Sequence, residues 1–243
     1  VYGFLNILFR ILDEEKPKYL TVAFDLHEPT FRHKMYAAYK GTRKPMAEEL
    51  RQQVPLMKEM LRAMGVTVIE KEGLEADDLL GTIAKRSEAA GYEVSVVSGD
   101  RDLLQLASDH IKIRIPKTRR TGTEIEDYNT KEVLEKYQVT PLQFIDVKAL
   151  MGDSSDNIPG VAGIGEKTAL ALIRDFHDLD NLYAHLDDPA IRPAVRQKLE
   201  KDRETAYMSR DLARIRLDAP VPTKMDAYLM RQPDEEKAVK TLN

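Results

Sequence analysis

The chain has 243 residues, 42% hydrophobic and 32% charged, a composition of folded chains that suits one large domain or two modest ones and excludes wholesale disorder. It contains no Cys, which excludes disulfides and thiolate metal sites and fits a reducing cytoplasm. Its net charge of −4 excludes attraction of nucleic acid by the bulk field, and no apolar run approaches the roughly 20 residues that span a bilayer, so no membrane partner is expected.

Residues 1–15 carry helical apolar spacing that stops before Pro17, and Arg10 within them argues against a signal peptide. Tyr19–Phe24 is a β-rich run ending at Asp25, and residues 30–63 read as one or two helices around a Gly41–Pro45 break. Val66–Ile69 predicts a second strand, a helix follows from about Ala76 to Ala90 with Gly91 as its cap, and Val94–Val97 is a third strand. Ile111–Ile115 and Thr123–Glu126 alternate around a polar turn as a hairpin does, and from Thr130 onward the pattern is mostly helical. The alternation predicts an α/β domain with a central parallel or mixed sheet flanked by helices, followed by a helical subdomain. The chain opens on Val1, and its last residues, 234–243, read as a helix that stops midway, so a piece of a longer polypeptide is expected.

The acidic residues sit at a telling place. Asp25 follows the first strand; Glu75, Asp77 and Asp78 follow the second and open a helix; Asp100 and Asp102 follow the third. Each group alone reads as a helix cap or turn, because the helix N-terminus favours negative charge. Together they line the carboxyl ends of the strands, where open α/β sheets bind ligands. Such a cluster repels itself unless cations are bound, and oxygen donors without His or Cys suit Mg²⁺ or Mn²⁺. Two such ions about 3.5–4 Å apart clamp the attacking and leaving oxygens of a phosphodiester. A further acidic group, Asp153 and Asp156, lies in the helical part.

After it, Gly160-Val-Ala-Gly-Ile-Gly-Glu-Lys-Thr168 resembles a P-loop, but Glu166 stands where Lys should follow Gly165 and no strand precedes it. The alternative is a glycine-rich hairpin between two helices. There Gly160, Gly163, Gly165, Lys167 and Thr168 would hold a DNA phosphate at a helix N-terminus without reading sequence; a plain interhelical turn is the competing reading. From Pro29 to Ala47 there is no acid, whereas Arg32, Tyr36, Tyr39, Lys40 and Arg43 recur at helical spacing, a pattern suited either to a solvated face or to a single strand. A smaller basic turn with Lys117, Arg119 and Arg120 suits duplex backbone or an ordinary hairpin tip.

Phe24-Asp25, Phe31-Arg32, Tyr39-Lys40 with Arg43, Glu75-Ala-Asp-Asp78, Ser98-Gly-Asp-Arg-Asp102 and Met151-Gly-Asp-Ser-Ser-Asp-Asn-Ile-Pro-Gly160 together resemble the 5′-nuclease domain family of bacterial DNA polymerase I, similar to flap endonucleases. The resemblance runs over nearly the whole chain. It implies a PIN-like core at 1–139 with a helical arch at about 27–62, a helix-three-turn-helix subdomain at 140–222, and a C-terminal segment at 223–243. By the same resemblance Asp25, Glu75, Asp77 and Asp78 belong mainly to a first metal site, Asp100 and Asp102 lie near or between two sites, and Asp153 and Asp156 serve the second. Lys40 and Arg43 steer the scissile phosphate from the arch with Tyr39, and Arg32 touches it as well. Two Mg²⁺ or Mn²⁺ ions, and K⁺ at the helical hairpin, are the implied cofactors. The family also carries a metal-binding Asp on a strand ahead of the helix that opens this sequence; either those residues lie outside the sequence or metal binding is impaired.

The expected function is a monomeric, cytoplasmic, metal-dependent 5′-nuclease of DNA replication and repair, the N-terminal part of a DNA polymerase. Its partners would be nicked or branched DNA with a 5′ flap and RNA primers paired to DNA. The alternatives are a stand-alone flap endonuclease-like enzyme, a PIN-like ribonuclease, and a non-catalytic module that binds flap DNA.

Overall fold

The computed structural model describes residues 2–119, 122–234 and 236. The chain divides into two compact units: residues 1–28, 44–86 and 217–243 form the first, and residues 29–43 and 87–216 the second.

In the first unit, helix α1 (Tyr2–Glu15) is amphipathic, burying Leu8 and Ile11. Strands β1 (Thr21–Ala23) and β2 (Thr67–Ile69) pair in parallel with Val22 opposite Val68. The sequence between them supplies α3 (Glu48–Ala63), whose Leu61 joins Leu8 and Val66 in a core lined by Phe4, Leu12, Val22 and Phe24. Helix α4 (Ala76–Ala89), which lies in this unit through Arg86, buries Leu79 against Ala219 and Val221, so the late segment closes the same unit that the first residues open. Polar contacts fix that closure: Thr67 Oγ1 donates to the Ala227 carbonyl at 2.7 Å, and the Ala219 amide donates to Thr82 Oγ1 at 3.1 Å.

The second unit begins with the short helix α2 (Phe31–Met35). Its sheet has the order β3 (Val94–Val97), β4 (Ile111–Arg119), β5 (Gly122–Tyr128), with β3 parallel to β4 and β4 antiparallel to β5. Ile111 and Ile113 are fully buried, as the alternation in the sequence required. A 3-10 turn (Arg101–Leu106) follows β3 and buries Leu103 and Leu104. The remainder is helical: α5 (Thr130–Tyr137), α6 (Gln143–Met151), α7 (Glu166–Phe176), α8 (Leu179–Ala184), α9 (Pro193–Lys201) and α10 (Arg203–Ala213). Helix α6 is buried all round and packs against α7, α10 and the 3-10 turn.

The strands occur where the alternation placed them. Among the described residues they form two hydrogen-bonded sheets, one wholly parallel and one mixed. One expectation requires correction. Tyr39, Lys40 and Arg43 do not share a helical face with Arg32, because α2 ends at Met35 and turns follow. Lys40 has φ of 54°, outside the helical region, and Tyr39 is drawn into a core with Ile158, Leu212 and Ala213. Tertiary burial of one aromatic side chain outweighs a weak local helical preference. The helix expected at residues 234–243 lies largely outside the described residues.

Candidate metal-binding carboxylates and nucleic-acid interface

The first unit brings four of the expected acids to one strand end. Asp25, just beyond β1, accepts a hydrogen bond from the Ala76 amide at 2.7 Å and so caps α4 from a neighbouring strand. Asp78, fully buried, accepts from the Glu75 amide at 3.1 Å, and Glu75 is itself 7% exposed. Asp77 stands beside them in the first turn of α4. Capping and metal binding are compatible uses of a carboxylate, since each has two oxygens and about four acceptor sites.

The second unit gathers the others. Asp100 caps the 3-10 turn after β3, accepting from the Asp102 amide at 2.8 Å. Asp102, on that turn, and Asp153, in the loop after α6, flank the ammonium of Lys148, whose Nζ lies 2.7 Å from Asp102 Oδ1 and 2.5 Å from Asp153 Oδ2. Burial holds the Asp102 carboxyl up at about 6 in spite of Lys148, with Asp100 adding to the effect. Burial also raises Asp153, but hydrogen bonds from Lys148 and Ser155 outweigh it and bring that carboxyl down to about 2. Asp102 Oδ1 is buried and, although it is close to the ammonium, accepts no hydrogen bond of proper angle.

Among the described residues no three His, Asp or Glu side chains converge tightly enough to hold an ion unaided. The donors nonetheless suit the expected cations. Mg²⁺ typically retains several waters and uses only one or two carboxylates. Oxygen-only donors fit it, and Asp102 Oδ1, buried and paired with Lys148 by charge but not by a well-directed hydrogen bond, retains acceptor capacity.

The expected arch residues are turned onto the same acidic loop. Arg43 pairs with Asp156, Tyr39 Oη donates to Asp156 Oδ2 at 3.2 Å, and the Lys40 amide donates to the Asp156 carbonyl at 2.7 Å. The Lys40 ammonium lies 5.2 Å from the Tyr39 ring centroid. Arg32, expected at the phosphate, is 2% exposed and donates at 2.8 Å to both the Leu212 and Arg214 carbonyls, the orphan acceptors at the end of α10.

The glycine-rich segment is built for close approach. Gly152 (φ 70°) and Gly160 (φ 60°) lie back to back, so a Cβ on Gly160 would meet the Gly152 nitrogen at 2.3 Å. The Gly160 amide donates to buried Ser209 Oγ at 3.0 Å, and the Ala162 amide to Asp202 Oδ2 at 2.9 Å. Gly163 (φ 77°) presents its carbonyl to Lys198 Nζ at 3.0 Å. Gly165 is the N-cap of α7 and offers no side chain to its amides; Lys167 is exposed beside Thr168 in the first turn. That is a helix N-terminus available to an anion. On the β4–β5 hairpin Lys117 Nζ is engaged by Glu126 at 2.6 Å, and Arg119 ends β4. Arg120 lies outside the described residues.

Sequence reasoning missed Lys148 and Ser209. The only signal for Lys148 was a charged residue in a mostly apolar helix that also holds Asp146, a type almost never buried unless paired.

The 5′-3′ exonuclease N-terminal resolvase-like domain matches residues 1–138, and the 5′-3′ exonuclease C-terminal SAM fold matches residues 139–236. The chain is 48% identical over 239 residues to DNA polymerase I of Bacillus caldotenax, covering 98% of this chain and 27% of that protein. It is 47% identical over 221 residues to DNA polymerase I of Bacillus subtilis strain 168, covering 91% and 25%. The chain thus spans about a quarter of the length of these curated relatives. Its fold matches T5 5′-exonuclease with bound zinc (TM-score 0.70, 23% identity, 99% of this chain and 89% of that one). It also matches the catalytic core of Rad2 in complex with DNA substrate (TM-score 0.65, 15% identity, 99% and 77%). Among the described residues no helix is long and apolar enough to cross a membrane. With a family match over more than half its length, this chain belongs to the 5′-3′ exonuclease family.

Proposed function

We propose that this chain is a divalent-metal-dependent 5′-nuclease acting on nicked and branched DNA with 5′ flaps and on RNA primers paired to DNA, and that it forms the N-terminal part of a cytoplasmic DNA polymerase I. The observation that carries the reading is the Asp102–Asp153 pair of the second unit, two carboxylates from different elements already arranged around a positive charge. Asp25, Glu75, Asp77 and Asp78 are assigned to one ion and Asp100, Asp102, Asp153 and Asp156 to the other. Bound Mg²⁺ or Mn²⁺ supplies water activation and charge neutralisation at the phosphodiester.

The chain's own cations do the rest. Lys40 and Arg43 orient the scissile phosphate and stabilise its developing charge, and Tyr39 supports them from the core. The first-turn amides of α7, with Lys167 and Thr168, hold duplex phosphate and give affinity without sequence preference. Lys117, Arg119 and Arg120 add backbone contacts. K⁺ at the hairpin is part of the same proposal, although the Gly163 carbonyl is engaged by Lys198. The metal-bound T5 5′-exonuclease and the DNA-bound Rad2 core share this fold, and their ligands support the same assignment.

The test is cleavage of a labelled 5′-flap duplex by this chain with Mg²⁺, with EDTA and with Asp102→Asn. Loss of cleavage in EDTA and in Asp102→Asn, with DNA affinity in Ca²⁺ largely retained, is expected. Cleavage at the parent rate by Asp102→Asn would refute the metal assignment. Flap binding without cleavage under any metal would leave a binding module only.

A further inference from the structure

Lys148 is 8% exposed in the middle of α6, a helix buried along most of its length, whose other buried charge, Asp146, accepts from the Leu179 amide at 3.2 Å. A buried ammonium is costly unless its partners compensate. Here the compensation is uneven in the other direction. Three carboxylates, Asp100, Asp102 and Asp153, act on this one cation or on one another, and Asp102 Oδ1 still lacks a hydrogen bond of proper angle. The ammonium touches Asp102 at 2.7 Å and Asp153 at 2.5 Å, so it stands where a cation shared by those two carboxylates would stand. The two acids come from separate elements, the turn after β3 and the loop after α6, whereas Lys148 comes from the rigid helix that supports both. Its four-carbon stem lets the head group swing without moving that helix.

We infer that Lys148 is a built-in counter-ion that holds the place of a divalent cation at Asp102 and Asp153 and is displaced when the cation binds. The inference rests on the metal-dependent reading above and deepens it. Without a cation, two buried carboxylates brought this close would repel one another; the lysine keeps them together and arranged. The cost falls on affinity, because the arriving ion must expel a positive charge. Metal binding and release thereby become an exchange at a preorganised site.

Two measurements on the whole 243-residue chain decide it. Mn²⁺ affinity, read from free Mn²⁺ by electron paramagnetic resonance, should rise about tenfold in Lys148→Met, the effect of removing one charge several ångströms from a divalent ion even at water-like dielectric. Lys148→Arg, which keeps the charge, should not show that gain. In the unaltered chain labelled with ¹⁵N-lysine, the ion-paired Lys148 ammonium signal should move to the position of exposed lysines as Mg²⁺ is added, and stay in place with K⁺ at equal ionic strength. This second measurement needs no variant, so it decides the matter if Lys148→Met does not fold. If Mn²⁺ binds the unaltered chain but Lys148→Met binds it equally or more weakly, or the ammonium signal ignores saturating Mg²⁺, the lysine is only a structural brace and the nuclease reading stands. If the unaltered chain binds no Mn²⁺, both readings fall.

Discussion

Arg32 offers the sharpest test of how this chain divides its cations between framework and substrate. Its guanidinium is 2% exposed, and Nε and Nη2 each reach a carbonyl of the α10 terminus at 2.8 Å. Replacing it with Met keeps most of the apolar stem and removes both donors. A hydrogen bond from a charged donor contributes about 1.5–3 kcal/mol, and of the two bonds the one to Leu212 is buried and the one to Arg214 partly so, so the two together should cost about 3–5 kcal/mol. With a urea slope near 2 kcal/mol per molar, the unfolding midpoint should fall by about 2 M. Arg32→Lys retains the charge but not the planar fork, so it should recover only part of the loss. The assay is urea unfolding followed by far-ultraviolet circular dichroism, with no nucleic acid present. If Arg32→Met unfolds within about 1 kcal/mol of the parent while saturated single-turnover flap cleavage falls a hundredfold, the bonds to α10 are incidental. Arg32 would then belong at the phosphate, as the sequence alone suggested.

The Lys40→Ala, Arg43→Ala double variant should slow single-turnover cleavage by about 10²-fold or more while weakening equilibrium binding in Ca²⁺ far less, since both cations act on charge that grows in the transition state. Normal turnover at saturation with much weaker binding would reduce them to a tether. Lys167→Ala should weaken duplex binding on every sequence and lower the salt slope by about 1, read from titrations at several salt concentrations; an unchanged slope would return the Gly160–Thr168 hairpin to a plain turn. Glu126 is held at about 2 by hydrogen bonds from Lys117 and Tyr128. A carboxyl depressed in the folded state stabilises above its unfolded value near 4.5 and loses that contribution as pH falls toward 2. Glu126→Gln should therefore flatten the decline of melting temperature between pH 5 and pH 2, by no more than about 1 kcal/mol after solvent screening; an unchanged acid limb would refute the pairing.

Much of this was legible in the chain because local pattern and chemistry agreed. The runs at 21–24, 66–69 and 94–97 are short and β-branched, each ends near an acid, and each became a strand with a carboxylate at its carboxyl end. The glycines at 160, 163 and 165 marked a tight connection into α7 because a P-loop was ruled out by Glu166 and by the lack of a preceding strand. What was not legible depends on partners remote in sequence. Arg32 gave no sign that its acceptor lies 180 residues away, and Lys148 read as one more helical residue until Asp102 and Asp153 were brought to it. The face drawn through Tyr39 and Arg43 failed for the same reason. The Gly41–Pro45 break was visible, but the helix ends at Met35, well before Gly41, and burial of Tyr39 follows.

The makeup of the first unit has a consequence for synthesis. It is assembled from three separated stretches, and its β1–β2 edge is tied down late: the Leu20 amide donates to the Tyr228 carbonyl at 2.8 Å, the Met230 amide to the Lys18 carbonyl at 3.1 Å, and Thr67 Oγ1 to Ala227. Those acceptors and donors leave the ribosome after every residue of the second unit has been made. In a chain made as far as residue 216 the second unit has all its residues and is free to fold first, whereas the first unit still lacks the stretch that packs on Leu79. Asp25 and its neighbours therefore become a fixed constellation only in the closing stage of cotranslational folding, so a nascent chain halted before residue 217 would carry Asp102, Lys148 and Asp153 already set and the other acids still unformed.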